Sequence, residues 1–226
     1  MRMSRNGSED CLGGRPAAFA AYALRESELN ARMKSGGGKV AWNKGKLLGQ
    51  KLPLSLKEVR AIRRRLQSAQ KMRDVVLFSV AIESNLCACD LVRLRVRDVS
   101  KARHIASHVT IRQSHTSRPV QFEICDETRE ALAAWIAQAG LKPDHSLFPS
   151  RLSESPHLSP RQYARVVASW VSLIGLDPGA YGTQSLRRTK PALMYRRTRD
   201  LEAVQQLLGH TKRGNTARFL GIHEPV

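Results

Sequence analysis

Two short segments near the C-terminus carry the residue types best suited to handling phosphate. Tyr181-Gly-Thr-Gln-Ser-Leu-Arg-Arg-Thr189 brings two guanidiniums, Arg187 and Arg188, and Leu207-Leu-Gly-His-Thr-Lys212 places His210 directly after a glycine. A guanidinium is a planar fork of donors that matches two phosphate oxygens, and an imidazole exchanges a proton near neutral pH. Each residue also has a plainer reading. Arg187 can be one of a solvated arginine pair, and His210 can cap the carbonyls of the helix that Gly209 ends. Cys87 and Cys89 form a Cys-x-Cys pair, yet the four cysteines (Cys11, Cys87, Cys89, Cys125) lack CxxC spacing and point to neither a zinc site nor a disulfide framework. Small buried hydrophobes account for that pair more simply. No metal and no cofactor is expected.

The elements that must position these residues are legible in the chain. Ser55-Leu56-Lys57-Glu58 is a capping box that opens a helix to about Ala69. A second helix follows over roughly Lys71 to Asn85, and a short one over Ala88 to Leu94 leads into Val96 to Val99. Apolar alternation at Val109 and Ile111, and again at Val120, Phe122 and Ile124, predicts strands around a polar hairpin tip at Gln113 to Arg118. Asp126 reads as the cap of a helix carrying Leu132, Trp135 and Ile136, and Ser159-Pro160 starts another carrying Val166, Val167, Trp170 and Ile174. Further helices are expected near Ser185 to Arg197, Leu201 to Leu208 and toward Leu220. Pro191 falls inside the first of these, where it removes one backbone bond and favours a kink. The two tryptophans on apolar helical faces, Trp135 and Trp170, belong to the core.

Charge narrows the partner. The 226 residues hold 38 basic and 19 acidic side chains, a net charge of +19, with 42% hydrophobic residues, which is a globular composition and not a charged tail. Residues 1–40 are glycine-rich and read as a flexible basic arm, with at most a transient helix over Ala17 to Met33. Residues 41–226 carry +16 of the charge. No apolar run is long enough to span a membrane, and the first residues lack the apolar core of a secretory signal. Double-stranded DNA in the cytoplasm, at the nucleoid, is the expected partner, with no membrane involvement.

The two C-terminal segments, with Asn215-Thr-Ala-Arg-Phe219 after them, together resemble the signature of tyrosine recombinases, the phage-type integrases. That signature reads His-x-x-Arg, then Leu-Gly-His, then a tyrosine nine residues later. The resemblance, to a compact bacterial integrase subgroup, extends through Asp90-Leu-Val-Arg-Leu-Arg-Val-Arg-Asp98, Thr116-Ser-Arg-Pro-Val-Gln-Phe122, Leu147-Phe-Pro-Ser150 and Leu158-Ser-Pro-Arg-Gln-Tyr163. It implies a mainly α domain with a small three-stranded antiparallel β-sheet over residues 41–226. It also implies metal-free DNA strand exchange: a tyrosine forms a 3′-phosphotyrosyl link, two arginines clamp the phosphoryl oxygens, and a hairpin lysine protonates the leaving oxygen. Related recombinases usually continue into a tail that docks on a neighbouring protomer, whereas this sequence ends seven residues after Phe219.

Transferred position by position, the resemblance leaves two of six catalytic groups in place, Arg187 and His210. The first arginine position holds Cys87, the hairpin lysine position His115, the first histidine position Gln184 and the nucleophile position Phe219. His115 could still donate a proton and Gln184 a hydrogen bond, but a thiol does not replace a guanidinium fork and a phenyl ring has no oxygen to esterify. Expected DNA contacts are Lys44 and Lys46 beside Trp42, Arg63 and Arg64 in the cluster Arg60 to Arg65, and Arg118, Arg161 and Arg188. The implied function is a DNA-binding member of the family with defective cleavage. The alternatives are a recombinase that takes its tyrosine from another protomer, or a non-catalytic regulator competing with an active integrase for DNA sites; a second copy of the chain or an active recombinase on DNA is the further candidate partner.

Overall fold

The computed structural model describes residues 50–222 except 102, 103, 116 and 152–154. Lys44, Lys46, the arm over residues 1–40 and its boundary all lie outside the described residues. The capping box forms as expected: the amide of Glu58 donates to Ser55 Oγ at 3.3 Å and the amide of Ser55 to Glu58 Oε2 at 2.7 Å. It opens α1 (Leu56–Ser68), which buries Leu56, Val59, Ile62 and Leu66 at helical spacing and leaves Arg60, Arg64 and Arg65 outside. α2 (Met72–Ser84) is buried on almost every face and is the central helix of the domain.

Asn85 ends α2 in the left-handed conformation (φ 54°), and α3 (Ala88–Arg93) and α4 (Val96–Val99) follow. Four short strands come next: β1 (Ser100–Lys101), β2 (His104–Ile105), β3 (His108–Arg112) and β4 (Pro119–Glu123). Among the described residues they make two separate two-stranded antiparallel ladders, β1 with β2 and β3 with β4, where one three-stranded sheet was expected. Two-residue strands show no alternation, so the sequence pattern revealed only the longer hairpin. In that hairpin Val109 faces Phe122 and Ile111 faces Val120, and the tip closes through Gln113 and Arg118.

α5 (Asp126–Gln138) is capped one residue earlier than expected: Cys125 is the cap, and Asp126 is the first helical residue. α6 (Pro160–Ser172) carries a complete capping box between Ser159 and Gln162, with proline at its first turn. α7 (Thr183–Thr198) starts two residues before Ser185 and runs through the buried Pro191 as one helix. α8 (Leu201–Leu208) ends at Gly209 (φ 65°), and α9 (Arg213–Leu220) closes the described chain. α2 packs against α1, α5 and α7, and the α8–α9 pair packs on α7. Trp170 of α6 meets Phe78 of α2 edge-on at 5.5 Å and Tyr163 at 6.4 Å, with its indole N–H on Asp74. Trp135 donates to the Leu147 carbonyl at 2.9 Å, so both tryptophans are core with their one polar atom satisfied. None of the helices among the described residues is long and apolar enough to cross a membrane.

Candidate phosphate-binding site

The ends of α2, α7 and α8 converge on Arg187. Its Nε donates to the Asn85 carbonyl at 3.1 Å, a bond that the left-handed turn at Asn85 makes possible by directing the chain away from α2. That bond fixes the guanidinium by one nitrogen and leaves its two terminal nitrogens for another partner. The left-handed Gly209 reverses the chain after α8 and delivers His210, whose Nδ1 lies 3.0 Å from Thr216 Oγ1. The His210 backbone is held from both sides by Gln205, its amide on the Gln205 carbonyl and its carbonyl on the Gln205 amide group. Burial, and then the charge of Arg187, lower the pKa of His210, so the imidazole is neutral at pH 7.

Phe219 of α9 completes this side. Its ring stands edge-on to His210 at 5.7 Å, with the guanidinium carbons of Arg187 and Arg188 at 6.0 and 5.8 Å from its centre. Phe219 therefore lies beside both Arg187 and His210, the two residues that the resemblance groups with it.

On the opposite side, Cys87 precedes α3 and donates its S–H to Asp90 Oδ2 at 2.9 Å, with Cys89 Sγ 2.6 Å from Cys87 Sγ. Burial, the hydrogen bond to Asp90 and the contact with Cys89 push the Cys87 thiol up to about 12, so it is a neutral donor and not a nucleophile at pH 7. Asp90 responds in the other sense. Burial alone raises its pKa, but the bonds from Cys87 and Ser114 and the charge of Arg187 bring it below the ordinary value. The amide of Ser114, at the hairpin tip, donates to Asp90 Oδ1 at 3.0 Å. Asp90 thus ties the hairpin tip to α3 and shares the electrostatic field of Arg187. It stands three residues after Cys87, one helical turn on. That spacing was the available signal for a residue that sequence reasoning left unassigned.

The remaining expected residues divide. His115 is exposed on the hairpin turn beside Ser114, and Gln184 is exposed in the first turn of α7; neither joins the contacts around Arg187 among the described residues. Arg64, Arg118 and Arg161 are exposed. Arg188 is only 7% exposed, and its guanidinium donates to the Lys51 carbonyl while lying beside the Phe219 ring. Arg63 has a side chain 12% exposed and is paired to Glu127 at 2.9 Å.

Residues 53–223 match the phage integrase family. The probable integrase/recombinase YoeC of Bacillus subtilis is 28% identical over 170 residues, covering 75% of this chain and 88% of that protein. The crystal structure of XerA recombinase superposes with a TM-score of 0.62 at 15% identity, covering 94% of this chain and 89% of the other. A tyrosine-to-phenylalanine variant of the Tn1549 transposon integrase, solved in complex with transposon right-end DNA, gives a TM-score of 0.56 at 17% identity over 92% of this chain and 74% of that one. The mainly helical fold with small antiparallel sheets is that of the recombinase catalytic domain.

Proposed function

Because the chain belongs to the phage integrase family, we propose that it binds duplex DNA through its phosphates and is defective in cutting it. The observation that carries this reading is the place of Phe219, beside Arg187 and His210, where cleavage needs an oxygen nucleophile. With phenylalanine there, no phosphotyrosyl bond can form on this chain. Transition-state stabilisation is weakened as well. Among the described residues the two terminal nitrogens of Arg187 are left for a phosphoryl group, while Cys87, where the resemblance expects the other arginine, offers an uncharged thiol already committed to Asp90. Binding asks less than cleavage: a phosphate diester in its ground state needs cationic contacts, and Arg187 with the exposed Arg64 and Arg161 supplies them. That a tyrosine-to-phenylalanine integrase variant is solved on DNA supports the separation of the two steps. A chain of this kind would occupy sites in the nucleoid that an intact recombinase requires.

The test is the affinity of the full chain for labelled duplex DNA as a function of salt. Counterion release lowers log K by about 0.9 per phosphate neutralised for each unit of log salt, so a steep decline is expected. A shallow salt dependence would contradict the reading. So would unchanged affinity after Arg187→Ala combined with neutralisation of Arg64 and Arg161.

A further inference from the structure

The function above makes no use of the two thiols and the carboxylate clustered at the start of α3. We propose that Cys87, Cys89 and Asp90 form a three-ligand site for a thiophilic divalent cation of the zinc class. One ligand atom from each residue lies within 4.8 Å of the other two, Sγ to Sγ at 2.6 Å and Cys87 Sγ to Asp90 Oδ2 at 2.9 Å. Sequence spacing alone argued against zinc, because Cys-x-Cys supplies only two ligands. The fold adds the third by turning Asp90 back onto Cys87.

The donor set suits such an ion. Two thiolates with a carboxylate and one open position is a composition that zinc accepts and that harder cations such as magnesium do not. Tetrahedral Zn–S bonds of about 2.3 Å place two sulfurs roughly 3.8 Å apart, so the thiols must part by roughly 1 Å. Both side chains are half-exposed, which gives them room to rotate and leaves the fourth position to solvent. Asp90 is already braced for the role, since its other oxygen accepts the Ser114 amide, the kind of outer hydrogen bond that orients a ligating carboxylate. Binding expels the two thiol protons to the buffer. The resulting complex carries one net negative charge, which Arg187, already acting on Asp90, offsets.

The experiment titrates cobalt(II), as a visible stand-in for zinc, into the full-length chain kept reduced with a non-chelating phosphine. One equivalent should develop thiolate-to-cobalt charge-transfer absorption and a tetrahedral d–d band, and zinc should displace both. Cys87→Ser and Cys89→Ser should each weaken cobalt binding about tenfold or more, the double variant should abolish the charge-transfer band, and Cys125→Ser should leave it intact. No band in the unmodified chain, or a band that survives the double variant, overturns the proposal. Native mass spectrometry of the unmodified chain with zinc gives a reading that needs no variant. A one-zinc adduct with two protons displaced is expected, and the zinc-free mass alone would overturn the site.

Discussion

The two sides of the pocket have fared differently. The side built by α7, α8 and α9 carries a guanidinium and an imidazole, each with a defined partner: Arg187 on the Asn85 carbonyl, and the His210 ring on Thr216 with its backbone between two contacts to Gln205. The side built by the start of α3 and the hairpin is tied together by a carboxylate and a thiol instead. Asp90 still ties the hairpin tip to α3 through Ser114, while Cys87 and His115 stand where the resemblance places an arginine and a lysine. Scaffold and chemistry are thus separable here. A side chain that closes a backbone bond is costly to lose, whereas a side chain whose partner is a transient phosphate can be exchanged without disturbing the fold.

The comparison breaks most readily at Arg187. Arg187→Gln should lower affinity for duplex DNA about tenfold or more in a binding titration, since a charge-assisted hydrogen bond is worth about 1.5–3 kcal/mol, and Cys87→Ala should change it less than about twofold. Equal effects would mean that the two sides do not differ in function. The next effect is a gain. Cys87→Arg should tighten binding several-fold and steepen the salt slope by about 0.9, the signature of one more neutralised phosphate. An unchanged slope would show that this position does not reach the DNA. Phe219→Tyr, measured the same way, should leave affinity within about twofold, because the ring contributes no charge.

Smallest of all is a pH effect on stability. The folded state lowers the pKa of His210, so the unfolded chain binds that proton more readily, and this contribution to stability is lost as pH falls through the unfolded value of about 6.5. Glu83 acts in the opposite direction, because burial pushes its carboxyl up despite the bonds from Thr128 and Cys125. The useful measurement is therefore the difference between the original chain and His210→Gln in urea denaturation at mildly acidic and mildly alkaline pH. The variant should lose less stability on acidification. If both lose the same amount, His210 is not the neutral group described.

Local signals in the sequence were reliable where a short-range bond defines the structure. Both Ser55–Glu58 and Ser159–Gln162 close as capping boxes, and the Val109–Phe122 hairpin pairs as its alternation requires. The order of Arg187, His210 and Phe219 in the sequence groups the three, and the fold does bring them into contact. Illegible were the features set by distant partners. Arg188 is buried by the Lys51 carbonyl 137 residues away, and Arg63 is claimed by Glu127 64 residues on. Nothing local distinguishes either from a solvent-facing arginine. Asp90 was hidden for the same reason: half of its role lies in Ser114, across the hairpin.

The central claim, binding without cleavage, is tested most directly with one substrate. Duplexes selected for binding from a random pool are nicked so that any cleavage traps the protein covalently, then resolved on native and denaturing gels. The full chain should shift the native gel and leave no denaturant-resistant protein–DNA adduct, even at high protein excess. A covalent adduct formed by this chain alone would contradict the account, because it would place a nucleophile in the pocket that Phe219 does not supply.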